Sequence, residues 1–490
     1  MRSLARVGSI AMANQLSGMG LKLVSTVVLS RLLPPSTFGL VAMVVFFRGL
    51  MSIFGAAGFV EAAVQKKNLT LNQLNGVFWL NAGVCTLLAL IFIACGPLIS
   101  SFYGEPELTE ICLVFGLLFV LENLFLTHGA LLRRTMNYEL SFVLSFFPQV
   151  VALLASITMA LCGFEVWSLV GGTVVGAIIS RLFYLYFVRW DPGRFKLEAG
   201  FEGMFSYGIK SSAATVVNYF SQYSQTLALG KFASAADVGM YNRGQALFQM
   251  PIQQVSWPVA QLMLPALASL QNDRKKMFEL ILRATWLVAL ITVPFTLFIV
   301  VYGDWFMVWL VGQHWEVSGQ VAQWLAVASI PSLITNLIAR GNAAIGRPGR
   351  GVPIAIAGLP FLLFGIYTNA QLGPVMVAQF YALYRWVFYP ISITYHLAGS
   401  GFNISHFCRS QFQLLLLIIT TYLMLVFTRE LYLDSVGKIQ LIVMILSGCA
   451  SYLFVLLGFR YFLFGRSVLA WIYQKFGLRM RILKFILLVD

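Results

Sequence analysis

Apolar runs of about 20 residues, the length a helix needs to cross the hydrocarbon core of a bilayer, recur along the whole chain. Each is bounded by Gly, Pro, Asn or charge. Fourteen are legible, near 8–30, 38–60, 76–100, 109–131, 141–162, 165–188, 206–230, 239–268, 279–302, 318–340, 352–369, 374–397, 410–428 and 438–463. The pattern predicts an all-α integral membrane protein of about fourteen transmembrane helices. The first run is interrupted by Asn14, Gln15 and Lys22 and outlasts the apolar region of a secretory signal, so it reads as a retained first span.

The pattern also repeats at an offset of 200 residues. Segment 7–41 lies over 207–241 without a gap, placing Gly8 on Gly208, Ala13 on Ala213, Thr26 on Thr226, Leu29 on Leu229, Arg31 on Lys231 and Gly39 on Gly239. A span, a basic residue at its end, a short turn and a Gly recur in order. Two membrane helices can also align through composition alone. Both copies open a block of six spans after a basic segment, which is the parallel-repeat arrangement of transporters. The division that follows is an N-terminal six-helix bundle at 1–188, a cytoplasmic linker at 189–205 and a second six-helix bundle at 206–397. Two further helices follow at 398–465, and a basic amphipathic cytoplasmic tail occupies 466–490. The tail's Trp471, Phe476, Met480 and Leu483 against Lys475, Arg479, Arg481 and Lys484 suit the surface of an anionic leaflet.

Composition agrees. Of 490 residues 59% are hydrophobic and 10% charged, against about 25% charged in soluble domains, and mean hydropathy is +0.82. The formal charge of +15 could suggest nucleic acid, but its distribution argues for topology. Alternate inter-span segments carry the cations (Arg2/Arg6, Lys66/Lys67, Arg133/Arg134, Arg274/Lys275/Lys276, Arg347/Arg350), and the others carry acids such as Glu105/Glu107, Glu165 and Asp237. The positive-inside rule then puts both termini in the cytoplasm. Six cysteines lie in or at the ends of spans without a CxxC pair, so neither disulfide nor metal site is expected. The four histidines are scattered, no P-loop occurs, and the loops leave no room for a soluble catalytic domain. No enzyme, metal or cofactor site is therefore expected.

Candidate chemistry lies in charge held within the spans. Lys22, Arg48, Lys210, Arg243, Arg340 and Arg385 fall inside apolar runs, with Glu61 and Glu122 the acids at comparable positions. A charge at the bilayer centre costs at least roughly 2.5–3.5 kcal/mol and persists where it faces protein or water. Surplus interior cation is suited to an anion, with Arg gripping phosphate bidentately and Lys acting as a point charge. Snorkelling to the headgroups competes with this reading, most of all for Lys210 and Arg340 near span ends. Lys22, Arg48, Lys210, Arg243 and Arg385 are the diphosphate candidates. Gln222, Gln245 and Gln249 are the sugar candidates, although amides tie helices together equally well. Glu61 and Glu122 are the candidates for ion coupling.

The six-plus-six-plus-two plan, RLLPPSTFG at 31–39, GAAGFVEAAVQKK at 55–67, YNRG at 241–244 and LPALASLQND at 264–273 together resemble the polysaccharide transporter (Wzx-type) branch of the MATE-like MOP flippase superfamily, most of all its colanic-acid and exopolysaccharide subgroup. The resemblance implies a MATE-like fold and a flippase for undecaprenyl-diphosphate-linked oligosaccharide repeat units in a bacterial inner membrane. Related peptidoglycan-precursor flippases keep basic residues in spans 1, 2 and 8, and Lys22, Arg48 and Arg243 occupy similar places. The expected partners are the polyprenyl-diphosphate-linked oligosaccharide, membrane lipids, and a polymerase and co-polymerase of the same export pathway. A MATE-type multidrug or cation antiporter and a membrane-embedded polysaccharide polymerase or ligase are the alternatives. Surplus cation argues against the first, short loops against the second.

Overall fold

A computed structural model of the chain describes residues 4–55, 70–134, 138–188, 190–195, 201–398 and 404–432. Among them fourteen α-helices and two single 3-10 turns account for the regular structure. The first seven helices are α1 (Leu4–Leu32), α2 (Pro35–Gly55), α3 (Leu71–Tyr103), α4 (Leu108–Asn123), α5 (Leu126–Arg134), α6 (Tyr138–Leu161) and α7 (Val166–Phe187). The remaining seven are α8 (Phe201–Phe232), α9 (Ala235–Ala268), α10 (Arg274–Val311), α11 (Glu316–Ala344), α12 (Val352–Ala370), α13 (Pro374–Leu397) and α14 (Ile404–Tyr432).

Thirteen of the expected spans fall on these helices. The fourteenth, at 438–463, and the tail at 466–490 lie outside the described residues. Among the described residues seven helices are long and apolar enough to cross a membrane, namely α2, α3, α6, α7, α10, α12 and α14. The other long ones are diluted by small, amide and charged residues, as in the YFSQYSQ stretch of α8. Large apolar side chains such as Leu90, Leu98, Leu117, Leu154, Leu161 and Phe364 face outward. In water that surface would drive aggregation, and in lipid it is the solvated face. This is an all-α, multi-pass membrane protein.

One expected span is not continuous. The run 109–131 breaks after Asn123 into α4 and α5. The Asn81 side chain donates to the Asn123 carbonyl at 3.0 Å, and the Asn123 amide folds back onto the Phe119 carbonyl at 2.7 Å. A side chain inserted into the helical ladder is a sufficient cause of a kink.

The chain divides into two compact units. The first comprises Met1–Asn242 with Leu310–Trp315 and Ile366–Pro374, so α8 and the start of α9 belong with α1–α7. Its densest contact is the α6–α7 hairpin. A Cβ on Gly172 would meet the Ser156 hydroxyl, and one on Gly176 would meet Ala152. Small residues four apart let two backbones approach closely, which is how helices cohere where lipid supplies no hydrophobic drive.

The repeat appears directly in this unit. Helices α1 and α8 end at Leu32 and Phe232, and α2 and α9 begin at Pro35 and Ala235, with the 200-residue offset kept to the residue. The two copies start their second helix by different chemistry. Pro35 fits the first helical turn, where its missing N–H is no loss. Ser234 and Asp237 instead form a reciprocal capping box, the Ser234 hydroxyl accepting from the Asp237 N–H at 3.1 Å while the carboxylate accepts from the Ser234 N–H at 3.2 Å.

These turns pack on one another symmetrically. A Cβ on Gly39 would lie 1.6 Å from the Ala235 carbonyl oxygen, and one on Gly239 would lie 1.9 Å from that of Pro35. The cations that precede them follow the same symmetry. Arg31 Nε donates to the Leu310 carbonyl in the last turn of α10 at 3.1 Å, and Lys231 Nζ donates to the Phe102 carbonyl in the last turn of α3 at 2.7 Å. A helix C-terminus presents unpaired carbonyls and the negative end of the dipole, so a cation is favoured there. Trp315 completes the region, its indole donating to the Ser30 carbonyl at 2.8 Å and meeting Phe38 edge-on.

The second unit comprises Arg243–Trp309, Glu316–Gly365 and the described part of Val375–Asp490. Its core runs along α10 through Met277, Ile281, Trp286, Val293 and Tyr302 to Leu417 and Leu425 of α14. Polar contacts fasten α14 along that seam. Trp286 donates to Ser410 at 3.0 Å, Tyr302 donates to the Leu425 carbonyl at 3.1 Å, and Arg429 pairs with Asp304 at 3.0 Å. A helix outside the sequence repeat is thereby integral to this unit.

Any side chain at Gly39 or Gly239 forces apart two backbones rather than two flexible tips. Gly39→Val and Gly239→Val should each lower the melting temperature and folded yield in detergent, at a cost at or above the roughly 1–3 kcal/mol of ordinary overpacking. Gly18→Ala, where an added Cβ meets nothing within 4 Å, should be neutral or raise the melting temperature through helix propensity. Thermal unfolding followed by fluorescence-detected size exclusion separates the three.

Candidate functional site

The structure brings two of the sequence-selected residues together. Arg48 on α2 and Glu122 on the last turn of α4 form an ion pair through Nη2 and Oε2, both side chains about three-quarters buried. Phe115, two turns before Glu122 on α4, places its ring 5.4 Å from the Arg48 guanidinium. A low-dielectric setting strengthens this pair and makes the loss of either partner costly. Glu122 sits beside the α4–α5 break, where the Asn123 carbonyl is taken by Asn81.

Sequence reading passed over a third charge, Arg181 on α7. It lies inside the apolar run 165–188 and belongs with the other intramembrane cations by the same criterion. Its guanidinium lies over Phe125 at 5.6 Å and Tyr184 at 5.8 Å, within electrostatic reach of Glu122. Helices α2, α4 and α7 pack pairwise on one another, which is what collects these side chains. Arg181 thus lies near the Arg48–Glu122 pair inside the first unit without an ion pair of its own among the described residues.

The remaining candidates are placed as follows. Lys22 is exposed on α1, with no ion-pair partner among the described residues. Lys210 falls on α8 at a position whose side chain lies outside the described residues, and Glu61 lies outside the described residues altogether. Gln222 is exposed on α8. Its neighbour Tyr219 is not available as a free cavity group, because its hydroxyl donates to the Phe46 carbonyl of α2 at 2.7 Å and its ring lies against Tyr223. Tyr219 thus ties α8 to α2. In the second unit Arg243, Gln245 and Gln249 are half-buried on α9, Gln253 donating to Gln249 at 3.4 Å. Arg385 is half-buried on α13 and Arg340 half-buried on α11.

The motifs also acquire physical meanings. In RLLPPSTFG, Arg31 caps α10, Pro35 opens α2 and Gly39 admits Ala235. In YNRG, Tyr241 is buried, Asn242 donates to the Val238 carbonyl at 2.9 Å, and Gly244 lets α11 approach at Ser318. Asp273, which closes LPALASLQND, accepts from the Lys276 N–H at 3.1 Å as the cap of α10. That bond and the Lys276 ammonium hold its carboxyl below the usual range. Residues 56–67 of the remaining motif lie outside the described residues.

The sequence profile of a family described as "Polysaccharide biosynthesis protein" matches residues 28–320, more than half of the chain. The succinoglycan biosynthesis transport protein ExoT of Rhizobium meliloti is 26% identical over 63% of each chain. The lipopolysaccharide biosynthesis protein WzxC of Escherichia coli is 25% identical over 65% of each. The match therefore spans slightly less than two thirds of these relatives' length. Among solved structures, the lipid II flippase MurJ in an inward closed conformation gives a TM-score of 0.68 at 15% identity, covering 92% of this chain and 98% of that one. An inward-facing multidrug resistance MATE family transporter of the MOP superfamily gives 0.59 at 12% identity, covering 78% and 96%. At such identities the likeness is one of fold.

The ion pair is testable without knowledge of cargo. Arg48→Gln and Glu122→Gln should each destabilise the protein by leaving a charge without its partner. The double variant should recover part of the loss, with a coupling of about 1–3 kcal/mol in a double-mutant cycle. Additive losses in thermal unfolding would mean that the pair contributes nothing.

Proposed function

This chain belongs to the family of polysaccharide biosynthesis proteins, and from that premise we propose that it is a flippase for undecaprenyl-diphosphate-linked oligosaccharide repeat units. It carries them from the cytoplasmic to the periplasmic leaflet of a bacterial inner membrane, by alternating access with a cationic central cavity, for exopolysaccharide biosynthesis. It acts as a transporter rather than an enzyme, with both termini in the cytoplasm. The family match carries the reading, and the roles of relatives named for succinoglycan transport and lipopolysaccharide biosynthesis support it. A MurJ-like fold supports a lipid-borne cargo.

The physical chemistry is consistent with that cargo. A diphosphate headgroup cannot enter hydrocarbon without compensation, and interior guanidinium and ammonium groups supply it through charge-assisted hydrogen bonds. Lys22, Arg48, Lys210, Arg243 and Arg385 are the groups proposed to meet it along its path, and Gln222, Gln245 and Gln249 to meet sugar hydroxyls. Glu61 and Glu122 are proposed to couple transport to an ion. The polyprenyl tail remains in lipid throughout. Outward movement of an anion is favoured by an inside-negative potential, by about 2.3 kcal/mol per charge per 100 mV. A polymerase and co-polymerase would receive the product on the far side.

A strain lacking the protein should lose its exopolysaccharide and accumulate lipid-linked repeat units accessible from the cytoplasmic face. Wild-type protein should restore export, while the Lys22→Ala, Arg48→Ala and Arg243→Ala triple variant should insert and fail to do so. Full export by the triple variant, assayed with its membrane level, would remove the cationic path from the proposal.

A further inference from the structure

Arg181 has no place in the function described so far, yet its surroundings are those of a ligand-binding cation. It makes no hydrogen bond among the described residues, and its Nε is buried without an acceptor. Burying an unsatisfied guanidinium nitrogen is expensive, and Arg cannot escape the cost by losing its proton. Phe125 and Tyr184 line its faces, which steadies the planar group and leaves its N–H edges to take an acceptor. His128, close by, is engaged through Nε2 with the Trp190 carbonyl at 3.1 Å. The neighbouring acid, Glu122, is paired with Arg48. Among the described residues the cluster holds two guanidinium groups and one carboxylate already paired with Arg48, with Asp191 within electrostatic reach of His128. Arg181 is the guanidinium left without an ion-pair partner among the described residues.

We infer that Arg181 and Arg48 together form a phosphate-binding pair within the first unit, with Glu122 as the resident anion that an incoming diphosphate displaces from Arg48. The inference rests on the reading of the cargo as a lipid-linked diphosphate and adds to it a residue, a location and an exchange. In the unloaded protein Glu122 screens Arg48 and partly screens Arg181. When a diphosphate arrives, its oxygens take the two guanidinium forks. Glu122 sits at the end of α4, where the helix is already broken, so its carboxylate can turn aside without disturbing a continuous helix. The resident carboxylate lowers affinity, and that allows release as well as capture.

The exchange makes opposite predictions for two substitutions. Binding of farnesyl diphosphate to the purified full-length protein in detergent would be followed by tryptophan fluorescence, with farnesol as the uncharged control. Arg181→Gln should weaken binding roughly tenfold, the usual scale of a lost charge-assisted contact to phosphate, and Arg181→Lys should retain part of it. Glu122→Gln should tighten binding several-fold by removing the competing anion, although the same change lowers the stability of the unloaded protein. A misfolded variant cannot produce tighter binding, so the second arm guards the first. Competition by inorganic pyrophosphate is expected, since the recognised group is the diphosphate itself. Indifference of binding to Arg181→Gln, weaker binding by Glu122→Gln, or an equal response of phosphatidylglycerol binding to both variants would overturn the inference. The deletion strain reports separately on cargo. Normal exopolysaccharide without the protein would sink the flippase reading and leave this binding result standing. Lost export together with an indifferent Arg181→Gln would sink the site alone.

Discussion

A guanidinium group taken out of water must be answered by an acceptor, because it has no neutral form to retreat to. Much of what is distinctive about this protein follows from how it meets that demand. At the helix ends Arg31 and Lys231 are answered by backbone carbonyls of α10 and α3. Within the second unit Arg429 is answered by Asp304, which also accepts from Gln323 at 3.1 Å. Within the first unit Arg48 is answered by Glu122, and Arg181 has aromatic walls near that pair. The first groups are closed circuits of charge. In the last, Arg181 is left without an ion-pair partner among the described residues.

The frame around it is built from close backbone contacts rather than from bulk. Gly172 and Gly176 bring α6 and α7 together, and Gly39 and Gly239 let the two inter-helix turns of the repeat interlock. Lipid is as apolar as leucine, so helices gain little from burying leucine against leucine. They gain from dispersion at short range and from hydrogen bonds that lipid cannot offer, such as Trp286 to Ser410 and Tyr302 to the Leu425 carbonyl. This is why the aliphatic residues of α3, α6 and α12 can face outward in large numbers while small and polar residues hold the helices in register.

Much of this was legible in the chain itself. The apolar runs marked the helices, because span length and apolarity are set by the bilayer and need no tertiary context. The 200-residue offset located the paired turns to the residue, since Pro, Gly and terminal cations are local signals. Less legible was anything decided by a partner distant in sequence. The break in 109–131 depends on Asn81, 42 residues earlier than the carbonyl it captures. The Tyr219 hydroxyl is committed to the Phe46 carbonyl across 173 residues, which no local pattern announces. Arg181, like Arg283 in the run 279–302, is an intramembrane cation visible in the sequence alone. It stands in an apolar run as plainly as Arg48 does, near enough to the basic 189–196 segment to pass for part of it.

The duplication itself separates cations that both copies share from cations that one copy carries alone. Where a charge is required by the architecture, both copies should carry it, and Arg31 and Lys231 do, each capping a helix terminus in the same way. Lys22, Arg48 and Arg243 behave otherwise. At the 200-residue offset Lys22 corresponds to Gln222, Arg48 to Phe248 and Arg243 to Met43. Phe248 and Met43 are buried apolar residues. The same helical position is therefore filled satisfactorily by a phenylalanine or a methionine in the twin copy. Packing does not demand a guanidinium there, and solvation opposes it by several kcal/mol. Arg48 and its partner Glu122 are replaced together in the twin copy, where Phe248 and Ala322 stand, as expected of a buried pair that is costly to leave half made.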